Sequence, residues 1–158
     1  REIADPHYDY KLRWLYNLRF HVQDQLRTDP DTRAVYLGDF NIAPLDRDVW
    51  DIDFFDGKTH ITEPERQAFD ALIDAGLTEV TRPLTREHYT YWDYKGMRFQ
   101  KGEGMRIDFQ LATPALAATA RTGFVDIEER SGKGASDHAP VVVDYLPRES
   151  SAAFDEVR

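Results

Sequence analysis

Three short stretches place chemistry-capable side chains where a core would otherwise be apolar. Asp39 and Asn41 stand one residue apart in YLGDFNIAP, Asp108 interrupts RIDFQL, and Asp137 and His138 are adjacent in SDHAP. Asp and Asn are also ordinary turn formers, so each stretch alone has a plain structural explanation. The combination weakens that explanation. An ionised carboxylate inside an apolar strand is costly unless it is paired. The natural partner for Asp108 is His138, because a carboxylate that fixes an imidazole's tautomer and orientation recurs in catalytic sites. Adjacent side chains of an extended segment point opposite ways, so Asp137 and His138 serve different partners.

Hard carboxylate oxygens suit Mg²⁺ or Mn²⁺, and zinc would call for a cluster of His or Cys ligands. A divalent ion, an Asp base and an imidazolium donor together meet the needs of phosphodiester hydrolysis: a polarised phosphate, an activated water and a stabilised leaving oxygen. The chain has no GxSxG elbow, no GxxxxGK[ST] loop and no GxGxxG turn, which argues against serine hydrolase, P-loop and dinucleotide chemistry. Paired carboxylates would also serve a glycosidase, but His138 and Asn41 would then have no role.

These groups need a frame, and its elements are written in the periodicity. Leu12, Leu15, Leu18, Val22 and Leu26 recur at three- and four-residue steps and predict an amphipathic helix over 9–26. AVYLGDFN, after a turn-prone segment, reads as a buried strand. Residues 43–61 read as loop with short helical turns. The segment 62–76 is a helix with Thr62 and Glu65 as a capping box and Gly76 as its stop. LTEVTR, YTYWDY, MRIDFQLAT and APVVVDYL read as further strands, the last apolar enough to be covered on both faces. The Gly-rich RSGKGASDH is a mobile loop leading into it. Strands that alternate with helices early and follow one another through loops later imply an α/β (α+β) layered fold with a mainly antiparallel sheet and flanking helices. Residues 1–146 form the domain and 147–158 a frayed or briefly helical tail.

Composition bounds the rest. At 158 residues with 41% hydrophobic side chains, the chain supports a packed core. No cysteine is present, which removes disulfides and thiolate chemistry and fits a reducing cytoplasm. No apolar run approaches the ~20 residues a membrane span needs. A net charge of −9 disfavours indiscriminate nucleic-acid binding unless basic residues cluster or cations bridge the contact. Lys95, Arg98, Lys101, Arg106 and Lys133 supply such a local patch, with Arg106 the one whose alternation points into the core.

On YLGDFNIAP, YTYWDYKGMRFQKGEGMRIDFQLATPAL and GKGASDHAPVVVDY, in that order, the sequence resembles the exonuclease III family of bacterial AP endonucleases, within the endonuclease/exonuclease/phosphatase superfamily. GDFN and SDH alone would fit other members of the superfamily; WDY, Arg98, Phe99 and GMRID point to exonuclease III. The resemblance implies that Asp39 orients or deprotonates the attacking water and that Asn41 holds that water and the phosphate. It pairs His138 with Asp108 against the scissile phosphate and gives Asp137 to the metal site, which also draws on Asp39, Asn41 and His138. Tyr91, Met105 and Ile107 would line the pocket for a base-free sugar, with Trp92 and Arg98 beside it on the DNA.

The resemblance further implies a four-layer α/β sandwich of two similar halves, of which this sequence matches the second. The first half would add a Glu metal ligand, an Asn and a phosphate-contacting Tyr. The expected activity is a Mg²⁺-dependent (Mn²⁺ as substitute) phosphodiesterase of the bacterial cytoplasm, a monomer at full length. Its substrate would be double-stranded DNA carrying abasic sites or blocked 3′ ends. Two alternatives stand beside it: a superfamily phosphoesterase acting on inositol or lipid phosphates, and a catalytically silent DNA-binding module.

Overall fold

The computed structural model describes residues 3–147. Helix α1 spans Pro6–Thr28, three residues earlier than its apolar periodicity implied. The start is set by Asp5, which accepts a hydrogen bond from His7 N at 2.9 Å, and by Pro6 in the first turn, where no N–H is needed. Strand β1 is Val35–Asp39. The following segment holds two short 3₁₀ turns, Asp46–Asp48 and Asp53–Phe55, as expected of residues 43–61. Helix α2, Glu63–Asp74, is capped by the Thr62–Glu65 box, with Thr62 N donating to Glu65 Oε2 at 3.0 Å. Gly76 follows at a φ of +112°, where a Cβ would come within 2.8 Å of Leu26 Cδ1 on α1.

The strand expected at 77–82 is reduced to β2, Thr78–Glu79. The Glu79 carboxylate accepts from Thr81 N at 2.6 Å and from Arg82 N at 3.1 Å. This side-chain competitor turns the backbone into helix α3, Thr81–Leu84. YTYWDY is not a strand. Thr90 N and Tyr91 N both donate to the Met105 carbonyl, at 2.8 and 3.0 Å, so no ladder continues, and only single bridges join Tyr91 to Met105 and to His138. Helix α4, Arg98–Lys101, leads to strand β3, Asp108–Ala112, and then to helix α5, Pro114–Ala117. Strand β4, Ala120–Val125, and helix α6, Ile127–Ser131, precede strand β5, Val141–Tyr145. The tail expected from Pro147 lies outside the described residues, apart from Pro147 itself.

The sheets are antiparallel and small. One has the order β1-β3-β2 and the other pairs β4 with β5. Leu15 and Val22 of α1 and Phe69 and Leu72 of α2 pack with Phe40, Ile42, Leu77, Phe109 and Leu111 in the main core. Phe69 and Phe109 meet edge to face at 5.0 Å, and Phe40 lies 5.8 Å from Phe69.

Register decides which polar groups escape that core. Tyr36 and Leu111 pair, as do Gly38 and Phe109, while the intervening pairs are Leu37 with Gln110 and Asp39 with Asp108. Side chains alternate across a sheet, so packing Phe109 and Leu111 on the helices sends Asp39 and Asp108 together to the opposite face. Gln110 on that face donates to Val141 O at 3.0 Å and accepts from the Tyr145 hydroxyl at 2.9 Å, which ties β5 to the sheet. Leu37 remains 63% exposed there. Strand β1 is therefore half-buried rather than buried. Strand β5, expected to be covered on both faces, is only partly buried along Val141–Val143.

Candidate active site

Asp39 ends β1, directly across the ladder from Asp108. Two residues on, Asn41 has a φ of +52°, a conformation Asn tolerates better than most side chains. The resulting turn brings Asn41 N to 2.7 Å from Asp39 Oδ1 and Asn41 Nδ2 to 2.7 Å from Asp39 Oδ2. The one-residue spacing thus makes a clamp in which an amide grips both oxygens of a carboxylate. The clamp is braced from the helices: Lys11 of α1 donates to Asn41 O at 2.9 Å and pairs with the fully buried Glu65 of α2. Burial alone would raise Glu65, but its bonds from Lys11, the His60 backbone and Thr62 hold it below its ordinary value.

His138 reaches the same face from the loop before β5. Its Nδ1 donates to Asp108 Oδ2 at 2.9 Å, with Oδ1 at 3.1 Å. The buried Thr90 hydroxyl donates to Asp108 Oδ2 at 2.7 Å and accepts from Ile107 N and Asp108 N, each at 3.2 Å. The dyad is therefore fixed on its carboxylate side. The other imidazole nitrogen, Nε2, lies 3.9 Å from Asp39 Oδ2, and the Tyr91 ring lies 4.8 Å from the imidazole centroid. The Asp108 hydrogen bond raises the His138 pKa, against the effect of burial. Burial raises Asp39 too, offset in part by the Asn41 N–H and reinforced by the Asp108 charge.

Asp39, Asn41, Tyr91, Arg98, Met105, Ile107 and His138 line one cavity of about 320 Å³. Trp50, Phe54 and Phe55 add aromatic wall, and Arg98 stacks over Trp50 at 4.6 Å while pairing with Glu103. One residue expected beside the pocket sits elsewhere. Trp92 is 5% exposed and packs edge to face on Phe99 at 5.2 Å, in a separate cluster with Val125 and Ala139. Asp137 accepts through its carbonyl from Trp92 N at 2.9 Å, and its charge adds to the rise at His138 and at Tyr91, so it stands beside the site. Arg106 is buried and donates to the His88 and Glu87 carbonyls, both at 3.0 Å, while Lys95, Lys101 and Lys133 are exposed.

Thr90 and His60 escaped the sequence reading. Thr90 was hidden in an apparent strand, and a lone His60 after a Thr in a loop carries no spacing signal. His60 nonetheless lines the cavity, with Nε2 3.3 Å from Asn41 Oδ1. Its pKa is pushed down to about 4, chiefly by burial. Such a group binds its proton more readily unfolded, so this contribution to stability is complete above about 6.5 and is lost as pH falls toward 4. The thermal midpoint of chelator-treated protein is expected to fall across that window, and to fall less in His60→Gln. Equal slopes would contradict a neutral, half-buried His60.

Among the described residues, no group of three or more His, Asp or Glu side chains is placed to hold a metal ion. What the site offers is one carboxylate and one amide oxygen. That donor set fits Mg²⁺, which binds through one or two carboxylates and completes its shell with water and substrate phosphate.

The model of a family described as endonuclease/exonuclease/phosphatase matches residues 3–138. A Neisseria structure described as the 3′ phosphatase NExo bound to product DNA hairpin is 39% identical, covering 91% of this chain and 56% of that one, with a TM-score of 0.84. An AP endonuclease structure from Archaeoglobus fulgidus is 33% identical, covering 91% and 56%, with a TM-score of 0.82. Exodeoxyribonuclease III of Haemophilus influenzae is 28% identical over 126 residues, 74% of this chain and 47% of that protein. The chain thus spans about half the length of the relatives it matches. Among the described residues, no helix is long and apolar enough to cross a membrane.

Proposed function

The chain belongs to the endonuclease/exonuclease/phosphatase family, and we propose that it serves a Mg²⁺-dependent DNA repair phosphodiesterase that cuts 5′ to abasic sites and trims 3′ ends. The reading extends to a bacterial cytoplasmic protein, monomeric at full length, acting on double-stranded DNA. The observation that carries it is the meeting of the Asp108–His138 pair with the Asn41-clamped Asp39 on the rim of an aromatic-walled cavity.

In this mechanism water attacks phosphorus and passes a proton to Asp39, the carboxylate that the Asn41 clamp holds at the cavity rim. The bond from phosphorus to the 3′ oxygen breaks, and that oxygen takes a proton from solvent. His138, held by Asp108 and protonated over a wider pH range than an ordinary imidazole, donates from Nε2 to a non-bridging phosphate oxygen as negative charge builds there. Asn41 keeps the carboxylate aimed. Asp39 and Asn41 would hold the cation, with Asp137 and His138 as further candidates; when bound it neutralises phosphate charge. The cavity walls, Trp50, Phe54, Phe55, Tyr91, Met105 and Ile107, suit a sugar stripped of its base, since they offer apolar contact and no pattern of base-edge hydrogen bonds.

The test is a duplex with one abasic site, incubated with full-length protein and Mg²⁺. Incision 5′ to the site, abolished by chelator, is the expected result. An intact duplex alongside phosphate release from inositol phosphates would replace the reading. These 158 residues alone are expected to bind Mg²⁺ weakly and cleave little. Titration calorimetry and the same assay check this, and robust incision by the isolated chain would contradict it.

A further inference from the structure

Asp39, Asn41 and His60 are common to the 320 Å³ cavity and to a second one of about 430 Å³ beneath the start of α1. His60 has a φ of +88°, a backbone conformation that a residue with a Cβ adopts only under constraint. The constraint is local: His60 O accepts from Ala43 N at 2.7 Å, and the buried Thr59 hydroxyl lies 3.0 Å from His60 Nδ1. An imidazole has been fixed beside the carboxylate clamp at a cost to the backbone, and the mechanism above leaves it unused.

Hydrogen-bond polarity gives it a role. An ionised carboxylate only accepts, so the Asn41 group 2.7 Å from Asp39 Oδ2 must be its NH₂. Asn41 Oδ1 then faces His60 Nε2 at 3.3 Å, where two bare lone pairs would repel, so the proton sits on Nε2 and the second lone pair of Oδ1 stays open to a cation. The Thr59 hydroxyl lies 3.0 Å from Nδ1, and the Thr59 backbone also bonds the ring. The polarity runs from His60 through Asn41 to Asp39. We propose that His60 is a positioning residue for the phosphodiester chemistry, locking the Asn41 amide in the one orientation that clamps Asp39.

This rests on the proposed function for its kinetic consequence and not for its structural one, so the two are tested apart. At neutral pH, the imidazole nitrogen shifts of ¹⁵N-His-labelled full-length protein are expected to show His60 with a protonated Nε2 and a bare Nδ1. The reverse tautomer would overturn the proposal whether or not the protein cuts DNA. In the kinetic arm, His60→Gly removes the imidazole and suits the positive φ, so the thermal midpoint is expected to hold or rise while kcat falls about tenfold or more and KM stays within a few-fold. His60→Gln, whose amide reaches the Nε2 position as a donor, is expected to recover most of that loss. Wild-type kcat in His60→Gly, or a folded His60→Gln as slow as His60→Gly, would overturn it. Failure of the wild-type protein to cut would fall on the proposed function instead.

Discussion

Replacing His138 with alanine in the full-length protein is expected to lower kcat on an abasic duplex by on the order of 10³, with DNA affinity changed only a few-fold. The asymmetry follows from geometry. Nε2 is aimed at the Asp39 carboxylate and the space beside it, so its bond to a phosphate oxygen strengthens as the pentacoordinate charge develops. Binding energy is instead spread over the cavity walls and backbone contacts, which His138 does not supply. Asp108→Asn should fall in the same direction by less, since an amide at that position no longer dictates which nitrogen of His138 carries the proton. Single-turnover kinetics at saturating Mg²⁺ check both. Wild-type turnover in either variant, with an unchanged circular dichroism spectrum, would remove the dyad from the mechanism.

The dyad was legible because it breaks a pattern. Asp108 in an apolar strand demands a partner, and the sequence contains few imidazoles to choose from. The Thr62–Glu65 cap of α2 and the body of α1 were legible for a similar reason: local rules of capping and periodicity decide them, and the packing of Phe69, Leu72, Leu15 and Val22 agrees with those rules. What stayed hidden was decided by side chains acting against local propensity. Glu79 cuts β2 short by bonding the backbone ahead of it, and Thr90 turns its hydroxyl inward to Asp108 instead of extending a strand. Strand β4 was missed because ARTGFV shows neither alternation nor a continuous apolar run, and its burial is correspondingly uneven. The resemblance put Trp92 beside the pocket, on the DNA. Alternation places the two on opposite sides of the backbone, one on the cavity and one in the core.

Asp39→Asn is the substitution expected to separate function from stability most sharply. It removes the proton acceptor, so kcat on an abasic duplex is expected to fall by about 10³–10⁴. Yet the carboxylate is a burden to the fold. Its pKa is raised by burial and by Asp108, so the folded protein holds a proton there more readily than the unfolded chain. That stabilisation is present only below the ordinary value of 3.8 and is lost as pH rises through the folded pKa, leaving an ionised group disfavoured at neutral pH. The neutral amide escapes this cost. It also places an NH₂ opposite the Asn41 NH₂, and the clamp recovers only if Asn41 flips and His60 moves its proton from Nε2 to Nδ1. The thermal midpoint at neutral pH is therefore expected to be unchanged or higher, with activity lost and the His60 tautomer reversed. Wild-type kcat in this variant would move the chemistry to another group, and a markedly lower thermal midpoint would mean that Asp39 holds the turn together.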